Sequence, residues 1–314
     1  MTRALGKSGI ETVPLMLGGN VFGWTADEAT SFAVLDRFVE AGGTLIDTAD
    51  VYSVWGEGHR GGESETVIGA WLKARNAYGR VQIATKVGKL AVDGKDGLSR
   101  AVIEQACDAS LKRLGVERID LYFAHADDPE VPLEETLGAF DALVKGGKVA
   151  AIGASNYSAE RLGEALRVSD ANGFARYTVL QPEYNLLARG EFEGALQDLC
   201  VAEDIGVVPY FGLAAGYLTG KYRTEADLAK STRGGKARAL LEGKGPKMLA
   251  AMDEVAAETG AGLPAIALAW LAQKPAVTAP IASATSVEQL EGVLAALDLT
   301  LTPDQMTKLD EAGA

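Results

Sequence analysis

Eight short runs of apolar and β-branched residues recur along the chain and alternate with longer stretches of helical periodicity. The short runs lie at 13–17, 44–48, 81–86, 119–123, 149–153, 177–181, 206–210 and 277–281. Each has the length of a buried parallel strand. Helices are predicted at 28–41, 63–75, 99–114, 133–145, 158–170, 190–204, 247–274 and after Ser286, with a break in the seventh near Gly260 where Pro264 begins a second helix. Ser99 is predicted to cap the third helix.

This alternation within one chain is the pattern of an α/β protein of the (β/α)8 TIM-barrel class. The alternative is a doubly wound sheet, which binds a dinucleotide through Gly-x-Gly-x-x-Gly directly after its first strand. Here the first strand is followed by Gly18-Gly19-Asn20-Val21-Phe22-Gly23, which lacks that spacing and opens no helix directly. We therefore predict the barrel, preceded by an N-terminal β-hairpin around Lys7-Ser8-Gly9. Because no linker or low-complexity tract divides the chain, we expect one domain over residues 1–314.

Charge and cysteine usage exclude several classes of function. The net charge of −13 argues against a nucleic-acid-binding face and against attraction to anionic membranes. The two cysteines, Cys107 and Cys200, fit a reducing cytoplasm better than a disulfide scaffold. No signal-peptide h-region opens the sequence, and no stretch of 18 uninterrupted apolar residues occurs. We expect a cytoplasmic monomer or small homo-oligomer.

The chemistry of a (β/α)8 barrel lies at the C-terminal ends of its strands. The polar residues predicted there are Asp47, Tyr52, Lys86, His125, Ser155, Asn156, Gln181 and Tyr210. A cation close to a phenol lowers its pKa from about 10, so Lys86 is expected to tune Tyr52 as a proton donor, with Asp47 holding the lysine. His125 is expected to hydrogen-bond the substrate oxygen or the phenol. Nothing supplies a nucleophile paired with a base, and the two histidines lie in unrelated contexts, so no metal site is predicted.

Several motifs spread from about residue 3 to residue 309 resemble the aldo-keto reductases, in particular the bacterial branch related to potassium-channel β-subunits. They are Leu45-Ile46-Asp47-Thr48-Ala49-Asp50-Val51-Tyr52, Ile83-Ala84-Thr85-Lys86, Ile119-Asp120-Leu121-Tyr122-Phe123-Ala124-His125, Lys148-Val149-Ala150-Ala151-Ile152-Gly153-Ala154-Ser155-Asn156-Tyr157, Gln181-Pro182-Glu183-Tyr184-Asn185, Leu218-Thr219-Gly220-Lys221-Tyr222 and Ser286-Val287-Glu288-Gln289-Leu290.

The resemblance implies an NADPH-dependent interconversion of carbonyls and alcohols. It implies that Tyr52 is the general acid, that Lys86 and Asp47 tune it, and that His125 orients the carbonyl. The implied cofactor-binding residues are Gly19, Asn20, Asp47, Ser155, Asn156, Gln181, Tyr210, Phe211, Gly212, Leu213, Ala214, Lys221, Arg233, Ser283, Thr285 and Gln289. Among them Tyr210 would stack on the nicotinamide, and the stretch 211–221 would wrap the pyrophosphate.

The chain departs from the family pattern where the adenosine end of the cofactor is expected. Thr285 stands where many members carry an arginine that reads the 2′-phosphate, and a threonine cannot form a bidentate guanidinium contact. NADP preference would then depend on hydroxyl groups, a helix N-terminus and the loop cations Lys221, Arg233, Lys236 and Arg238, with NADH as the alternative cofactor.

The substrate is the least constrained part of the prediction. Trp24 and Trp55, in loops at the barrel mouth, are candidate substrate contacts together with His125. Ala126 stands where a tryptophan is common, which is expected to widen the mouth. Two other functions stay open: a cofactor-binding regulatory subunit of the same fold, and a phosphate-binding isomerase or aldolase in which Lys86 forms a Schiff base.

Overall fold

The computed structural model describes residues 1–91, 94–230 and 234–314. Its strands are Arg3–Ala4 (β1), Glu11–Thr12 (β2), Met16–Gly18 (β3), Leu45–Asp47 (β4), Gln82–Val87 (β5), Ile119–Ala124 (β6), Val149–Ser155 (β7), Tyr177–Gln181 (β8), Gly206–Val207 (β9) and Ile281–Ala282 (β10).

Eight of these strands form one parallel sheet in the order β10-β3-β4-β5-β6-β7-β8-β9. The two ends of this sheet meet through a parallel bridge between Val207 and Val277. The Thr278 amide donates to the Val207 carbonyl at 2.8 Å, and the Ile281 amide donates to the Pro209 carbonyl at 2.9 Å. The sheet therefore closes on itself, and the predicted (β/α)8 barrel is confirmed.

Helices cover the outside of the barrel. They are Glu28–Glu40 (α1), Glu63–Arg75 (α2), Arg100–Leu114 (α3), Leu133–Lys145 (α4), Ala159–Asn172 (α5), Ala195–Glu203 (α6), Gly234–Glu242 (α7), Gly245–Thr259 (α8), Leu263–Ala272 (α9), Val287–Leu294 (α10) and Pro303–Gly313 (α11). Short 3-10 helices lie at Gly6–Ser8, Ala214–Thr219, Glu225–Lys230 and Ala295–Asp298.

Strand residues alternate between the barrel interior and the layer beneath the helices, as the period of two requires. Along β6, Leu121 and Phe123 pack inside the barrel, whereas Tyr122 and Ala124 pack against the helices. The same alternation on β5 places Ala84 inside and Val87 outside. Lys86, between them in this register, therefore shares the inner face with Ala84.

The predicted hairpin is present and lies against the start of the strands. β1 pairs antiparallel with β2, and the hairpin places Leu5 and Ile10 in the same apolar cluster as the barrel interior. Gly6 has a φ of +51°, and a Cβ there would come within 2.3 Å of the Gly206 amide nitrogen. The sharp turn and the close backbone approach both require glycine at this position.

Some helix boundaries differ from the prediction for local reasons. α6 begins at Ala195 rather than near 190, because Gly194 has a φ of +92° and interrupts the helical pattern. Ser99 occupies the N-cap of α3, but its side chain forms no capping hydrogen bond. Instead the Glu135 carboxylate of α4 accepts from the Arg100 amide at 3.0 Å. The break before Pro264 is confirmed, whereas α7 and α11 were not predicted.

Within the part of the chain that the structure describes, no single helix is long and apolar enough to cross a membrane. The consecutive helices α8 and α9 satisfy that test of length and composition only when taken together, and they are bent by 94°.

Candidate active site

Three polar side chains converge at the C-terminal end of β4 and β5. The Lys86 ammonium is fully buried and donates to Asp47 Oδ1 at 2.6 Å, to the Thr48 carbonyl at 2.7 Å and to the Tyr52 hydroxyl at 2.9 Å. These three acceptors use all the protons of an ammonium group. Lys86 is therefore fixed in position, and an amine that is fully buried and fully bonded is a poor candidate for a Schiff base.

Tyr52 is positioned by a tight loop after β4. Its amide donates to the Ala49 carbonyl at 3.1 Å, and the next residue, Ser53, adopts a φ of +72°. The Ser53 hydroxyl donates to the Phe22 carbonyl at 2.9 Å, which anchors the turn. The phenol then donates to Asp47 Oδ2 at 3.1 Å. Asp47 and Lys86 therefore hold the hydroxyl from two sides.

The electrostatic balance on the phenol differs from the expectation that Lys86 lowers its pKa. Burial raises the pKa of Tyr52 well above 10, and the nearby Asp47 carboxylate raises it further. Burial likewise lowers the pKa of Lys86, against the attraction of Asp47. Because Lys86 is already neutralised by Asp47, its field on the phenol is largely cancelled. The prediction of a depressed phenol pKa was wrong, and Tyr52 carries its proton throughout the neutral range.

His125 follows β6 on the other side of the phenol. Its ring meets the Tyr52 ring edge-on at a centroid distance of 6.0 Å. Burial lowers the pKa of His125 well below 6.5, and the positive charges of Lys86 and Lys89 lower it further. The imidazole is therefore neutral. Its Nδ1 is buried and has no hydrogen-bond partner among the described residues, so this nitrogen is not used by the protein itself.

A second group of polar side chains connects β7, β8 and the end of β9 to this cluster. Gln181 Nε2 donates to Asp47 Oδ1 at 2.9 Å, which joins residues separated by 134 positions in the sequence. The Ser155 hydroxyl donates to the Gln181 carbonyl at 2.8 Å. Asn156, with a φ of +58°, donates to the His125 carbonyl at 2.8 Å and accepts from the Tyr210 hydroxyl at 2.8 Å. The predicted strand-end residues thus form one connected network.

The segment that follows Tyr210 has an unusual backbone. Phe211, Ala214 and Ala215 have φ values of +56°, +47° and +55°, although none of them is glycine. Such conformations cost about 1–3 kcal/mol each and cluster at ligand clamps. Gly212 packs so closely on α9 that a Cβ would lie 2.9 Å from Leu271 Cδ1. This segment is therefore close-packed and has a strained backbone.

Cations around this loop are placed unequally. The Lys221 ammonium lies 3.2 Å from the position that a Cβ on Gly216 would take, so it covers the strained turn. Arg238 forms an exposed ion pair with Glu225 at 2.6 Å. Arg233 lies outside the described residues, as does the side chain of Lys236.

The region predicted for the adenosine end lies between β3 and α10. The Ser283 hydroxyl donates to Asn20 Oδ1, and the Gly19 amide donates to the Asp47 carbonyl at 2.7 Å. Gln289 Oε1 accepts from both the amide and the hydroxyl of Thr285 at 3.1 Å. Thr285 is therefore bound to its own helix, and its side chain supplies no positive charge.

Aromatic rings form one wall of the barrel mouth. Trp55 is 46% exposed, and its ring lies 6.1 Å from the Tyr52 ring. Trp24 contacts Trp55 edge-on at 5.7 Å. Trp55 thus lies beside the phenol, and Trp24 packs against Trp55.

Two features of the site were missed in the sequence. The Thr48 carbonyl binds Lys86, and no side-chain pattern reports a backbone acceptor. Asp50 is buried at 1% exposure, three residues beyond Asp47; an acid inside an otherwise small and apolar strand-end motif was the available signal. Among the described residues, no group of three or more histidine, cysteine, aspartate or glutamate side chains is arranged to hold a metal ion.

The chain matches the model of the Aldo/keto reductase family over residues 14–314. It is 33% identical to the uncharacterized oxidoreductase YrpG of Bacillus subtilis, over 98% of this chain and 94% of that protein. It is 30% identical to an aryl-alcohol dehydrogenase (NADP+) of Phanerodontia chrysosporium, over 96% and 83%. A putative voltage-gated potassium channel subunit beta of Schizosaccharomyces pombe is 32% identical, over 98% and 92%.

The chain therefore belongs to the aldo/keto reductase family. It is an oxidoreductase that acts on carbonyl and alcohol groups, and members of this family use NAD(P)H as the cofactor.

Proposed function

We propose that this protein reduces aldehydes and ketones with NADPH, and that Tyr52 exchanges the proton with the substrate oxygen. The observation that carries the proposal is the Tyr52 hydroxyl, which Lys86 holds at 2.9 Å and Asp47 at 3.1 Å beside a neutral imidazole. A reduced nicotinamide supplies hydride to the carbonyl carbon when it is bound. The protein must then supply one proton to the carbonyl oxygen, and a protonated, fixed phenol is suited to that step.

His125 and Asp47 have supporting roles in this proposal. A neutral His125 can donate one N–H to the carbonyl oxygen without competing with Tyr52 as an acid. Asp47 accepts from both Lys86 and Gln181, so one carboxylate sets the position of the proton donor relative to Gln181, a proposed nicotinamide contact. Proton transfer requires heavy atoms within about 2.6–3.2 Å, so this fixed geometry directly affects the rate.

The residues around the barrel mouth would suit a nicotinamide dinucleotide. Ser155, Asn156 and Gln181 would bind the carboxamide, and the ring of Tyr210 would cover the nicotinamide. The strained segment from Phe211 to Ala214, with Lys221 above it, would hold the pyrophosphate, since backbone amides and an ammonium both favour anions. Gly19, Asn20, Ser283, Thr285 and Gln289 would meet the adenosine end. We propose that the protein prefers NADPH to NADH and that Arg233 binds the 2′-phosphate, since Thr285 is neutral and Arg238 is paired with Glu225.

The substrate we propose carries an apolar or aromatic group. Trp55 presents an exposed ring next to Tyr52, and Trp24 extends the aromatic surface behind it; aromatic pairs add about 0.5–1.5 kcal/mol beyond their buried area. The P. chrysosporium relative is named for aryl alcohols, which agrees with this assignment.

The experiment is a panel of carbonyl and alcohol substrates, assayed with NADPH and with NADH at neutral pH. We expect reduction of aromatic aldehydes, and Tyr52→Phe is expected to lower the rate by about 10²–10⁴-fold. Tyr78→Phe is the matched control, because Tyr78 is an exposed tyrosine outside the site network. Cofactor binding without turnover on any substrate would instead favour a regulatory role. A Tyr52→Phe variant with more than about a tenth of the wild-type rate would contradict the assignment of Tyr52.

A further inference from the structure

Asp50 is a buried carboxyl group without a hydrogen-bond partner. It is 1% exposed, and neither of its side-chain oxygens is bonded to any described residue. Buried polar groups are almost always hydrogen-bonded, and an ionised carboxylate without partners is especially costly. The backbone of Asp50 is nevertheless fixed, because its amide donates to the Lys86 carbonyl at 3.2 Å. Asp50 is therefore anchored beside Lys86, close enough for its charge to act on Tyr52.

Charged and titratable groups face Asp50 from each neighbouring element. They are Lys86 on β5, Glu65 on α2, Arg113 on α3, Tyr122 on β6 and Tyr52 on its own loop. The hydroxyl of Tyr122 is also buried and without a partner among the described residues, so it offers Asp50 no counter-charge.

Each cation near Asp50 is already neutralised by another anion. Lys86 pairs with Asp47 at 2.6 Å, and Arg113 pairs with Glu65 at 2.6 Å. An ionised Asp50 would therefore be a third anion beside two cations, in a region shielded from water. A protonated Asp50 leaves the two pairs balanced. The count of charges alone favours the neutral acid.

The titration of the group agrees with this count. Burial raises the pKa of Asp50 to about 8 and Glu65 contributes to the rise, whereas Arg113, the adjacent Val51 backbone amide and Lys86 oppose the shift. Asp50 is thus neutral at pH 7 and ionises in mild alkali. The effect on the site has a definite sign, because a negative charge at Asp50 raises the pKa of Tyr52.

We propose that Asp50 is a positioning residue for the reaction, a neutral acid at physiological pH whose ionisation makes Tyr52 hold its proton more tightly and so suppresses alcohol oxidation. The proposal rests on Tyr52 as the acid and base of the reaction. Oxidation requires Tyr52 to accept the alcohol proton, and hence to be deprotonated first. Reduction requires the protonated phenol, which a second anion preserves. Ionisation of Asp50 therefore opposes oxidation more strongly than it affects reduction.

The test compares the pH profiles of both directions in wild type, Asp50→Asn and Asp50→Glu. In wild type, the rate of alcohol oxidation is expected to rise with pH and to flatten near pH 8. In Asp50→Asn, the rate is expected to continue rising above pH 8. At pH 9 the Asn variant should exceed wild type by roughly three- to tenfold, relative to their ratio at pH 7, as expected for one nearby charge. Asp50→Glu should keep the flattening. Asp120→Asn is the matched control, since Asp120 is a half-buried acid at the start of β6 that accepts from the Ile83 amide.

A second measurement does not depend on turnover. Infrared difference spectra of the protein between pH 7 and pH 9 should show loss of one protonated carboxyl band, absent in Asp50→Asn and present in Asp120→Asn. An active enzyme without this band would overturn the inference while leaving the proposed function intact. The same conclusion would follow if the Asp50→Asn variant showed the flattening of alcohol oxidation near pH 8 that is expected of wild type. A protein that shows the band but oxidises no alcohol and reduces no carbonyl would refute the proposed function instead.

Discussion

Replacement of Lys86 by methionine separates the structural and chemical parts of the site. The thioether has nearly the length of the lysine side chain, so the volume is kept and only the ammonium is lost. Asp47 then loses its hydrogen bond of 2.6 Å to Lys86 and keeps those from Gln181 and Tyr52. Removal of one partner from a buried ion pair costs about 3–5 kcal/mol. Because two donors remain on Asp47, we expect a loss of stability near about 3 kcal/mol.

The effect on catalysis has two components. Tyr52 loses the donor at 2.9 Å that fixes its oxygen, and it loses the only cation beside it in the described site. Activity should fall by about 10²–10⁴-fold, the range typical of a positioned acid or base. The pKa of the phenol should rise further, because Asp47 then acts on it unopposed. Any remaining alcohol oxidation should therefore require higher pH than in wild type.

The assays are urea unfolding and steady-state NADPH turnover across pH. Lys274→Met is the matched control, because the Lys274 side chain is 13% exposed and pairs with Asp310 at 2.7 Å, away from the mouth. That variant should lose stability and keep its turnover. If Lys86→Met keeps more than about a tenth of the activity with an unshifted profile, Lys86 neither positions nor tunes Tyr52.

Three further changes test other parts of the molecule. Trp55→Ala should raise KM for aromatic aldehydes about tenfold and leave the Kd for NADPH unchanged, as expected for loss of one aromatic contact; equal KM changes for small aliphatic aldehydes would contradict this. Arg233→Ala should raise the KM for NADPH by roughly ten- to hundredfold and leave the KM for NADH unchanged, since a charged contact contributes about 1.5–3 kcal/mol. This difference should shrink in high salt, and no change in either KM would indicate that Ser283 and Thr285 bind the 2′-phosphate. Gly69→Ala should cost about 1–3 kcal/mol in urea unfolding, because its Cβ would meet the Arg113 carbonyl at 2.2 Å, whereas Gly292→Ala, with open space around it, should cost nothing.

The barrel and the position of its mouth could be predicted because both follow from local patterns. Parallel strands are buried on both faces, so each appears as a continuous apolar run. Once those runs are placed, the end of each strand identifies residues that meet at one mouth. The bond between Gln181 and Asp47, far apart in sequence, shows that this rule brought the correct side chains together. Their roles in binding and catalysis stay predictions.

Other features depend on contacts that no local pattern contains. Ser99 has the residue type and position of an N-cap, yet its hydroxyl forms no capping hydrogen bond. Instead, the Glu135 carboxylate of the neighbouring helix α4 accepts from the Arg100 amide in the first turn of α3. α11 contains few apolar residues and is stabilised largely by its contacts with α8. The pKa of Asp50 depends on burial, on the adjacent Val51 backbone amide and on the charges of Glu65, Arg113 and Lys86, which lie on three different elements, so it emerges only from the assembled fold.

The sign of the Tyr52 pKa changes the role that Lys86 has in the chemistry. A lysine that lowered the phenol pKa to below about 7 would create a phenolate at neutral pH, and a phenolate cannot donate a proton to a carbonyl oxygen. In this site Asp47 neutralises Lys86 at 2.6 Å, and burial keeps the proton on Tyr52. The ammonium then acts mainly by position, since its donation to the phenol oxygen directs the phenolic proton outward or toward Asp47. In the proposed reduction, hydride delivery to the carbonyl carbon would develop negative charge on the substrate oxygen and make it the stronger acceptor for the phenolic proton. Lys86, which lies 2.9 Å from the phenol oxygen, would then stabilise the phenolate that remains. The cation therefore stabilises the charge where it ends, so its largest contribution comes after proton transfer has begun and not in the resting site.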